Sequence, residues 1–505
     1  MKSIVKNVHE LDGKVFRGAD AVNHEGSKAW SMSDKEMLKQ YAYTGVLGNT
    51  FYATQKDIID EAIDLIKRSD AKDLAESIVI GRNEGYIRSF SILGLVYLSM
   101  KDIDLFKKVF DKIILTGNDM EDFINICHTV RGFGRGIKTA INNWLMNHVN
   151  PYYALKYKKQ IADAVRIARP KVNDVIYAFI LNNYAEVDKE KVNIAFEEYQ
   201  ELNAFNEIPN LLENKDFDKV AEYINKYRLD VDSLTAYYSQ FNNTIWNAIA
   251  NQTPVMRFLK YLNKFEKVGI DVSEIAERKI TVENLKKAKV FPFRLFMAYM
   301  AINNQNITNI LANVLNDYIV STNWENFANK SFAICPDVSG SMTGLINNGN
   351  LRYIDIAAMF TGFLVKGCKN VTVIPWAGQV KEYKVPFADS VISHMKYISS
   401  IGGGGTAMGC SVRYLLKNNI KKDVCIFITD TEDYSRKSVW DRSNTGSWIE
   451  AWIDYKKIYP NSKAIIIRGD AYHTNPMSEE QCKKYNIYQI FGWNDKVVDY
   501  IQRIV

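Results

Sequence analysis

Apolar residues along the first two thirds of the chain recur every three or four positions, with short polar turns between the runs. This spacing places the apolar side chains on one face of an α-helix. Ser33 and Glu36 fit a capping box at the start of one such run. Residues 1–29 show no clear period, and we expect them to form an extended arm. The clearest predicted helices cover residues 58–66, 73–80, 86–100, 104–114, 119–129, 136–148, 157–167 and 174–183.

Successive helices with short connections are typical of HEAT-like helical repeats, in which each helical pair buries its apolar face against its neighbours. The sequence contains no fixed-period motif, so the repeat interpretation rests on periodicity alone. A curved stack of helices presents a long concave surface. The pattern therefore favours a binding scaffold over a catalytic pocket.

The pattern changes near Glu325. Beyond it, short uninterrupted apolar runs alternate with helical segments, which predicts a mainly parallel sheet covered on both faces. The predicted strands are 332–335, 371–375, 382–385 at an edge, 424–429, 464–467 and 487–490, and the predicted helices are 353–366, 390–399, 407–417, 448–457 and one from Asn494. The expected fold class is multidomain, α plus α/β, with a helical-repeat module over 1–325 and a Rossmann-like domain over 326–505.

Oxygen-bearing side chains follow two of these strands. Asp337, Ser339 and Ser341 alternate in the loop after the first strand, Thr406 follows a run of glycines, and Asp430 ends a later strand. Loops at the carboxyl ends of parallel strands meet at one edge of a sheet, and carboxylate and hydroxyl oxygens suit a hard cation. These five residues are candidate metal ligands. The alternative is an ordinary turn without metal, because Asp, Ser and Gly are also turn residues.

The complete ordered set resembles the metal-ion-dependent adhesion site of von Willebrand factor A-like (vWA) domains. The resemblance implies that the cofactor is a divalent cation, with Mg²⁺ expected first and Mn²⁺ and Ca²⁺ left open. It also implies that an Asp or Glu of a partner protein can complete the coordination.

Several segments of the first half resemble, in the same order, the Ro autoantigen family, whose helical ring is called the TROVE module. The resemblance is carried by Trp30 and by residues 45–52, 135–144, 155–158, 165–171, 253–259 and 291–294. The family implies a HEAT-like ring whose two ends are held by the vWA domain. It further implies non-catalytic RNA binding, with single-stranded ends of misfolded or structured non-coding RNA in the central hole and small Y-type RNA on the outer surface. Bacterial relatives can hand RNA to an exoribonuclease.

Cationic and aromatic residues crowd residues 131–171, hereafter the basic interval. Lys and Arg neutralise phosphates, and aromatic faces stack unpaired bases. The alternative is a set of solvated helix faces. Lys156 and Lys158 point to different sides of one helix, Trp144 fits a core position, and the family usually has His where Arg169 aligns. The candidate RNA-binding residues are Arg131, Arg135, Lys138, Lys156, Lys158, Arg166, Arg169 and Lys171.

Composition changes this picture little. The 505 residues carry a formal charge of +6 and are 47% hydrophobic, as in ordinary soluble multidomain proteins. Six cysteines without a C-x-x-C pair indicate reduced, buried thiols, and the chain shows neither a secretory signal nor a membrane span, so we expect a cytoplasmic protein. No membrane or DNA partner is expected.

An enzymatic function is not expected. The sequence shows no paired carboxylates of the two-metal kind, and the glycine run lacks the Lys of a P-loop. The expected function is RNA binding in RNA quality control or processing. The alternative is a metal-dependent protein-interaction or assembly protein that acts through the adhesion site.

Overall fold

The computed structural model describes residues 15–182, 187–322, 324–346, 351–433, 447–494 and 496–505. These residues form two compact units. The α/β unit contains Met1–Asp73, Glu84–Phe90 and Leu315–Val505, apart from the gaps above, and the helical unit contains Leu74–Asn83 and Ser91–Val314. The α/β unit thus takes residues from both predicted domains, and the boundary near Glu325 stays a prediction.

The chain before the parallel sheet is predominantly helical, as the periodicity predicts. Its helices are α1 Asp34–Thr44, α2 Gln55–Arg68, α3 Ala71–Asn83, α4 Ser89–Lys101, α5 Ile103–Ile113, α6 Gly117–Val130, α7 Arg135–His148, α8 Pro151–Lys156, α9 Lys158–Ala168, α10 Asp174–Ile180, α11 Lys189–Glu198, α12 Gln200–Glu213, α13 Phe217–Tyr227, α14 Asn243–Gln252, α15 Val255–Lys267, α16 Ser273–Lys279, α17 Val282–Lys287, α18 Pro292–Ala301 and α19 Gln305–Val320, with a 3-10 helix over Val231–Gln240. The capping box predicted at Ser33 is present at the start of α1. The HEAT-like interpretation stays a prediction.

Helices α5 and α6 show why these segments are helical. Asp102 caps α5 by accepting two backbone N–H groups, and Thr116 opens α6 with a capping box. Phe106 and Phe110 lie one turn apart on the buried face of α5, and the ring of Phe110 meets that of Phe123 on α6 at 5.2 Å. Buried aromatic contacts of this kind stabilise the packing of successive helices.

Trp144 on α7 belongs to the core of the helical unit. Its side chain is 0% exposed, and Nε1 donates to the carbonyl of Ile114 at 2.7 Å. The core interpretation of Trp144 is therefore confirmed, and the ring is not available for stacking on a base.

The α/β unit is built on a five-stranded parallel sheet. Its strands are β3 Ser331–Pro336, β4 Asn370–Val373, β5 Val424–Thr429, β6 Lys463–Arg468 and β8 Ile487–Phe491. They pair in the order β4-β3-β5-β6-β8. Strands β3 and β5 are buried almost throughout, as expected for apolar runs in a parallel sheet. The remaining helices are α20 Tyr353–Gly367, α21 Val391–Ser400, α22 Gly409–Lys417, α23 Trp448–Ile458, α24 Glu479–Lys484 and α25 Lys496–Ile504, with 3-10 helices at Glu325–Phe327 and Ser341–Thr343.

The strand predicted at 382–385 is wrong, because these residues form no strand. The chain turns back before reaching the sheet: the N–H of Lys381 donates to the carbonyl of Pro375 at 2.7 Å, and Val380 bridges Trp376. The sheet edge on this side is β4.

A small antiparallel sheet was not predicted. Strands β1 (Ala21–Val22), β2 (Lys28–Ser31) and β7 (Thr474–Asn475) pair in the order β1-β2-β7, with Trp30 opposite Asn475. Part of the expected extended arm is therefore sheet, and its first 14 residues lie outside the described residues. Through the pairing of β2 with β7, residues near the start of the chain contact residues near its end.

Five of the six cysteines are buried, which confirms the expected burial for those five, and Cys482 is partly exposed. In the part of the chain that the structure describes, no helix combines the length and apolar character needed to cross a membrane.

Candidate functional site

The loop after β3 carries the first three candidate ligands. The N–H of Asp337 donates to the carbonyl of Ile428 at 2.9 Å, and that of Val338 donates to the carbonyl of Trp376 at 2.8 Å. These bonds continue the pairing of β3 past its last residue, toward β5 on one side and toward the segment after β4 on the other. They fix Asp337 at the carboxyl edge of the sheet.

The carboxylate of Asp337 is held by short-range donors. Its Oδ1 accepts the N–H of Ser339 at 2.8 Å, and its Oδ2 accepts the hydroxyl of Thr429 at 2.7 Å. The hydroxyl oxygens of Ser339 and Ser341 lie 3.2 Å apart. The alternating spacing of the loop thus turns its carboxylate and both hydroxyls toward one place.

The glycine-rich loop is bonded directly to the loop after β3. The N–H of Gly340 donates to the carbonyl of Gly404 at 2.8 Å, and the N–H of Gly403 donates to the carbonyl of Val338 at 2.8 Å. Gly403 and Gly404 have φ of 120° and 102°, where glycine is strongly favoured. Thr406 follows two residues later and is 3% exposed.

Asp430 completes the site at the end of β5. It is 2% exposed, and the Ser341 hydroxyl hydrogen-bonds its carboxylate. Burial, with the neighbouring charges of Asp337 and Glu432, raises the pKa of Asp430. Burial also raises the pKa of Asp337, to about 6. The two carboxylates repel each other, and both resist ionisation.

This arrangement fits a divalent cation. A cation between the carboxylates would relieve both the desolvation and the mutual repulsion that raise their pKa values. Oxygen ligands of mixed carboxylate and hydroxyl type suit Mg²⁺ or another hard ion. Among the described residues, no cluster of three or more His, Cys, Asp or Glu side chains forms a metal site, so hydroxyls would be needed as ligands.

The basic interval lies in the helical unit, and several of its cations have partners within the protein. Arg131 donates to the carbonyl and hydroxyl of Ser99 at 2.6 and 2.7 Å. Lys156 is 12% exposed and lies 3.5 Å from the carboxylate of Asp230.

Lys158 has an amide and an aromatic ring as neighbours. It donates to the side-chain oxygen of Asn182, and its Nζ lies 4.2 Å from the ring centre of Phe179. Burial lowers its pKa to about 8. A contact with RNA through Arg131, Lys156 or Lys158 stays a prediction, and each would have to compete with the partner named here.

The other five candidates have exposed side chains: Arg135, Lys138, Arg166, Arg169 and Lys171. Arg135 and Lys138 lie one turn apart on α7 and line an open groove of about 460 Å³ beside Phe133. Its lining residues are Phe133, Arg135, Lys138, Thr139, Asn142 and Ala168.

Arg166 and Arg169 line a second cleft, of about 870 Å³, together with Tyr177 and Lys191. Its charge is mixed. Lys191 forms an ion pair with Asp174 in the same cleft, and Arg166 lies 3.3 Å from Asp163. Four of the five exposed candidates therefore line two depressions, and the first depression is the less acidic.

Residues 331–502 match the family model described as the Ro60 vWA domain. The RNA-binding protein RO60 of Deinococcus radiodurans is 21% identical over 480 residues, which are 86% of this chain and 88% of that protein. These two likenesses support the resemblance to the Ro family. The crystal structure of the Deinococcus radiodurans RO (RSR) protein matches 94% of this chain and 99% of its own, with 16% identity and a TM-score of 0.63. The likeness confirms the fold class of a helix-rich region followed by a vWA domain.

Sequence reasoning missed several residues that lie at the candidate cation site. Glu432 is 0% exposed and accepts the backbone N–H of His24 at 2.7 Å, and its other oxygen lies 3.4 Å from Nδ1 of His24. Tyr52 lies beside Ser341. Tyr52 falls within a segment that carries the family resemblance, yet nothing in the sequence indicates that a residue so distant from Ser341 reaches it.

Proposed function

We propose that this protein binds RNA without catalysis and holds the single-stranded ends of misfolded or structured non-coding RNA, and small Y-type RNA, in RNA quality control or processing. The observation that carries the proposal is the open groove in which Arg135 and Lys138 lie beside Phe133. The relationship to a protein named as RNA-binding supports it.

The groove has the two chemical features that a single strand needs. Exposed Arg and Lys side chains neutralise backbone phosphates, and an aromatic face stacks on an unpaired base. Neither feature depends on the base sequence. The groove therefore suits RNA ends of varied sequence better than it suits a defined duplex.

The test is a binding titration with a fluorescent RNA hairpin that has a single-stranded 3′ tail. The Arg135→Ala/Lys138→Ala variant should bind about tenfold more weakly at moderate salt, and its plot of log affinity against log salt should be shallower by about 1.4, at roughly 0.7 per phosphate contact. Lys108→Ala/Lys112→Ala is the matched control, because it removes two exposed lysines of the helical unit that lie outside the basic interval. Equal binding by the double variant and the parent protein would contradict the proposal.

We also propose that Asp337, Ser339, Ser341, Thr406 and Asp430 hold a divalent cation, with Mg²⁺ first. The two adjacent buried carboxylates support this. The cation would supply charge neutralisation at the carboxyl edge of the sheet. The alternative function, docking of an exoribonuclease or another protein through the cation, needs in addition an open coordination position that an outside carboxylate can reach.

A further inference from the structure

A segment from the start of the chain lies against the cation site, within the same α/β unit. The side-chain amide of Asn23 donates to the carbonyl of Asp433 at 2.9 Å, next to the bond from the N–H of His24 to Glu432. Strand β2 follows a few residues later and pairs with β7. This segment is therefore fixed by backbone and side-chain bonds on both sides of His24.

Aromatic rings cover the site at this point. The His24 ring stacks on Tyr52 with 5.1 Å between centroids and lies 4.7 Å from Tyr472. Tyr52 and Tyr472 meet edge to face at 5.5 Å. Phe51 continues the cover over the adjoining loop, where a β-carbon added at Gly344 would lie 3.7 Å from it.

Tyr52 connects the cation site to a carboxylate outside it. Its hydroxyl donates to Oε1 of Glu25, and the hydroxyl of Ser341 lies within hydrogen-bonding reach of it. Ser341 also hydrogen-bonds Asp430. A continuous series of polar contacts thus runs from the exposed Glu25 through Tyr52 to two candidate cation ligands.

The candidate ligands themselves are closed to solvent. Asp337 and Ser339 are 0% exposed, Asp430 is 2% exposed, and Ser341 and Thr406 are 3% exposed. An outside carboxylate can complete the coordination of a cation only if it can approach it. Here His24 and Tyr52 lie at the Ser341 and Asp430 side of the site.

We propose that the cation site is an internal clasp, in which Tyr52, held by Glu25, covers Ser341 and the cation fastens residues 23–25 and 50–52 to the loops at the carboxyl edge of the sheet. Tyr52 is a positioning residue, since it acts through Ser341 and Glu25. The inference rests on the proposed cation binding. It assigns that cation to holding the chain together rather than to docking an outside acidic partner.

The first test uses Mg²⁺ alone and measures melting temperature across a Mg²⁺ titration. Tyr52→Phe and Glu25→Gln should weaken Mg²⁺ binding at least fivefold and leave the melting temperature in chelator near that of the parent protein. Tyr488→Phe, an exposed tyrosine on β8, is the matched control and should behave as the parent. A purely structural Tyr52 would lower the melting temperature equally with and without Mg²⁺, and that result would overturn the clasp.

The second test is hydrogen exchange with and without Mg²⁺. Peptides that contain residues 23–25 and 50–52 should exchange at least fivefold more slowly with Mg²⁺, in the parent protein but not in Asp337→Asn. Sodium acetate, as an outside carboxylate, should leave Mg²⁺ affinity unchanged relative to sodium chloride. Tighter Mg²⁺ binding in acetate, or Mg²⁺ binding without slower hydrogen exchange of these peptides, would overturn the clasp. The proposal that the site binds a cation would stand in either case. Failure of the parent protein to bind Mg²⁺ would overturn the cation proposal and the clasp with it.

Discussion

The candidate cation site and the basic interval hold their charges in opposite ways. Asp337 and Asp430 are fully buried like charges, whereas Arg135 and Lys138 are exposed. A buried charge must be neutralised, protonated or paired, so its surroundings indicate what is missing. An exposed cation is stable in water without a ligand. The buried carboxylates of the candidate cation site therefore indicate a positively charged ligand by themselves. For the basic interval, only the groove and its neighbouring residues indicate a ligand.

The largest expected effect comes from removing one of the buried carboxylates. In chelator, Asp430→Asn should raise the melting temperature, because it removes a buried charge that is repelled by Asp337 and Glu432. With Mg²⁺, the same variant should lose most of the Mg²⁺-dependent gain, with an affinity at least tenfold weaker. Thermal denaturation in both conditions measures this. A variant less stable than the parent protein in chelator would show that the repulsion argument is wrong.

Lys158 gives a second, smaller effect, because it is a buried charge inside the basic interval. Burial lowers the pKa of Lys158 to about 8, so the unfolded chain holds the proton more tightly than the folded protein does. Below pH 8 the ammonium group is charged in both states, and the full cost of burying its charge lowers the free energy of unfolding. Stability should rise as pH increases from 8 toward the ordinary value of 10.5. Lys158→Met should therefore add about 1–2 kcal/mol at pH 7, after discounting for partial exposure.

Urea denaturation of both proteins at pH 7 and pH 9.5 checks this. The advantage of Lys158→Met should shrink at the higher pH, since the parent protein has then lost most of its buried charge. An advantage that is the same at both pH values would mean that desolvation of the ammonium group is not its cause.

The smallest expected effect concerns Phe133 and separates stacking from charge. Phe133→Leu keeps both groove cations and the apolar volume but removes the aromatic face, so single-stranded RNA should bind about fivefold more weakly, or about 1 kcal/mol. The salt dependence should stay that of the parent protein, because no phosphate contact is lost. RNA titrations at three salt concentrations measure both quantities. A changed salt slope with unchanged affinity at low salt would rule out stacking.

The same contrast explains what the sequence could predict. Strands β3 and β5 are uninterrupted apolar runs, and in a parallel sheet their carboxyl ends must meet, so the positions of Asp337 and Asp430 follow from local pattern and topology. Strands β1, β2 and β7 are short, and β2 and β7 pair residues as distant as Trp30 and Asn475, which local pattern cannot reveal.

Partners that are distant in sequence also limited the prediction of both sites. Helical periodicity predicts the helix face on which Lys156 lies. It does not predict that Asp230 lies beside Lys156. Likewise Tyr52 and Ser341 come together only through the fold of the α/β unit. The strand predicted at 382–385 does not form for a related reason. The preceding residue, Lys381, hydrogen-bonds back to Pro375 instead of pairing with a strand of the sheet.

RNA contact by the exposed part of the basic interval can be tested directly by photocrosslinking. A hairpin RNA with 4-thiouridine in its single-stranded tail would be irradiated with the purified protein in Mg²⁺, and the crosslinked peptides identified by mass spectrometry. Crosslinks should concentrate in peptides that contain Phe133, Arg135 and Lys138, and should disappear at high salt. Crosslinks confined to residues outside the basic interval would contradict the proposed function.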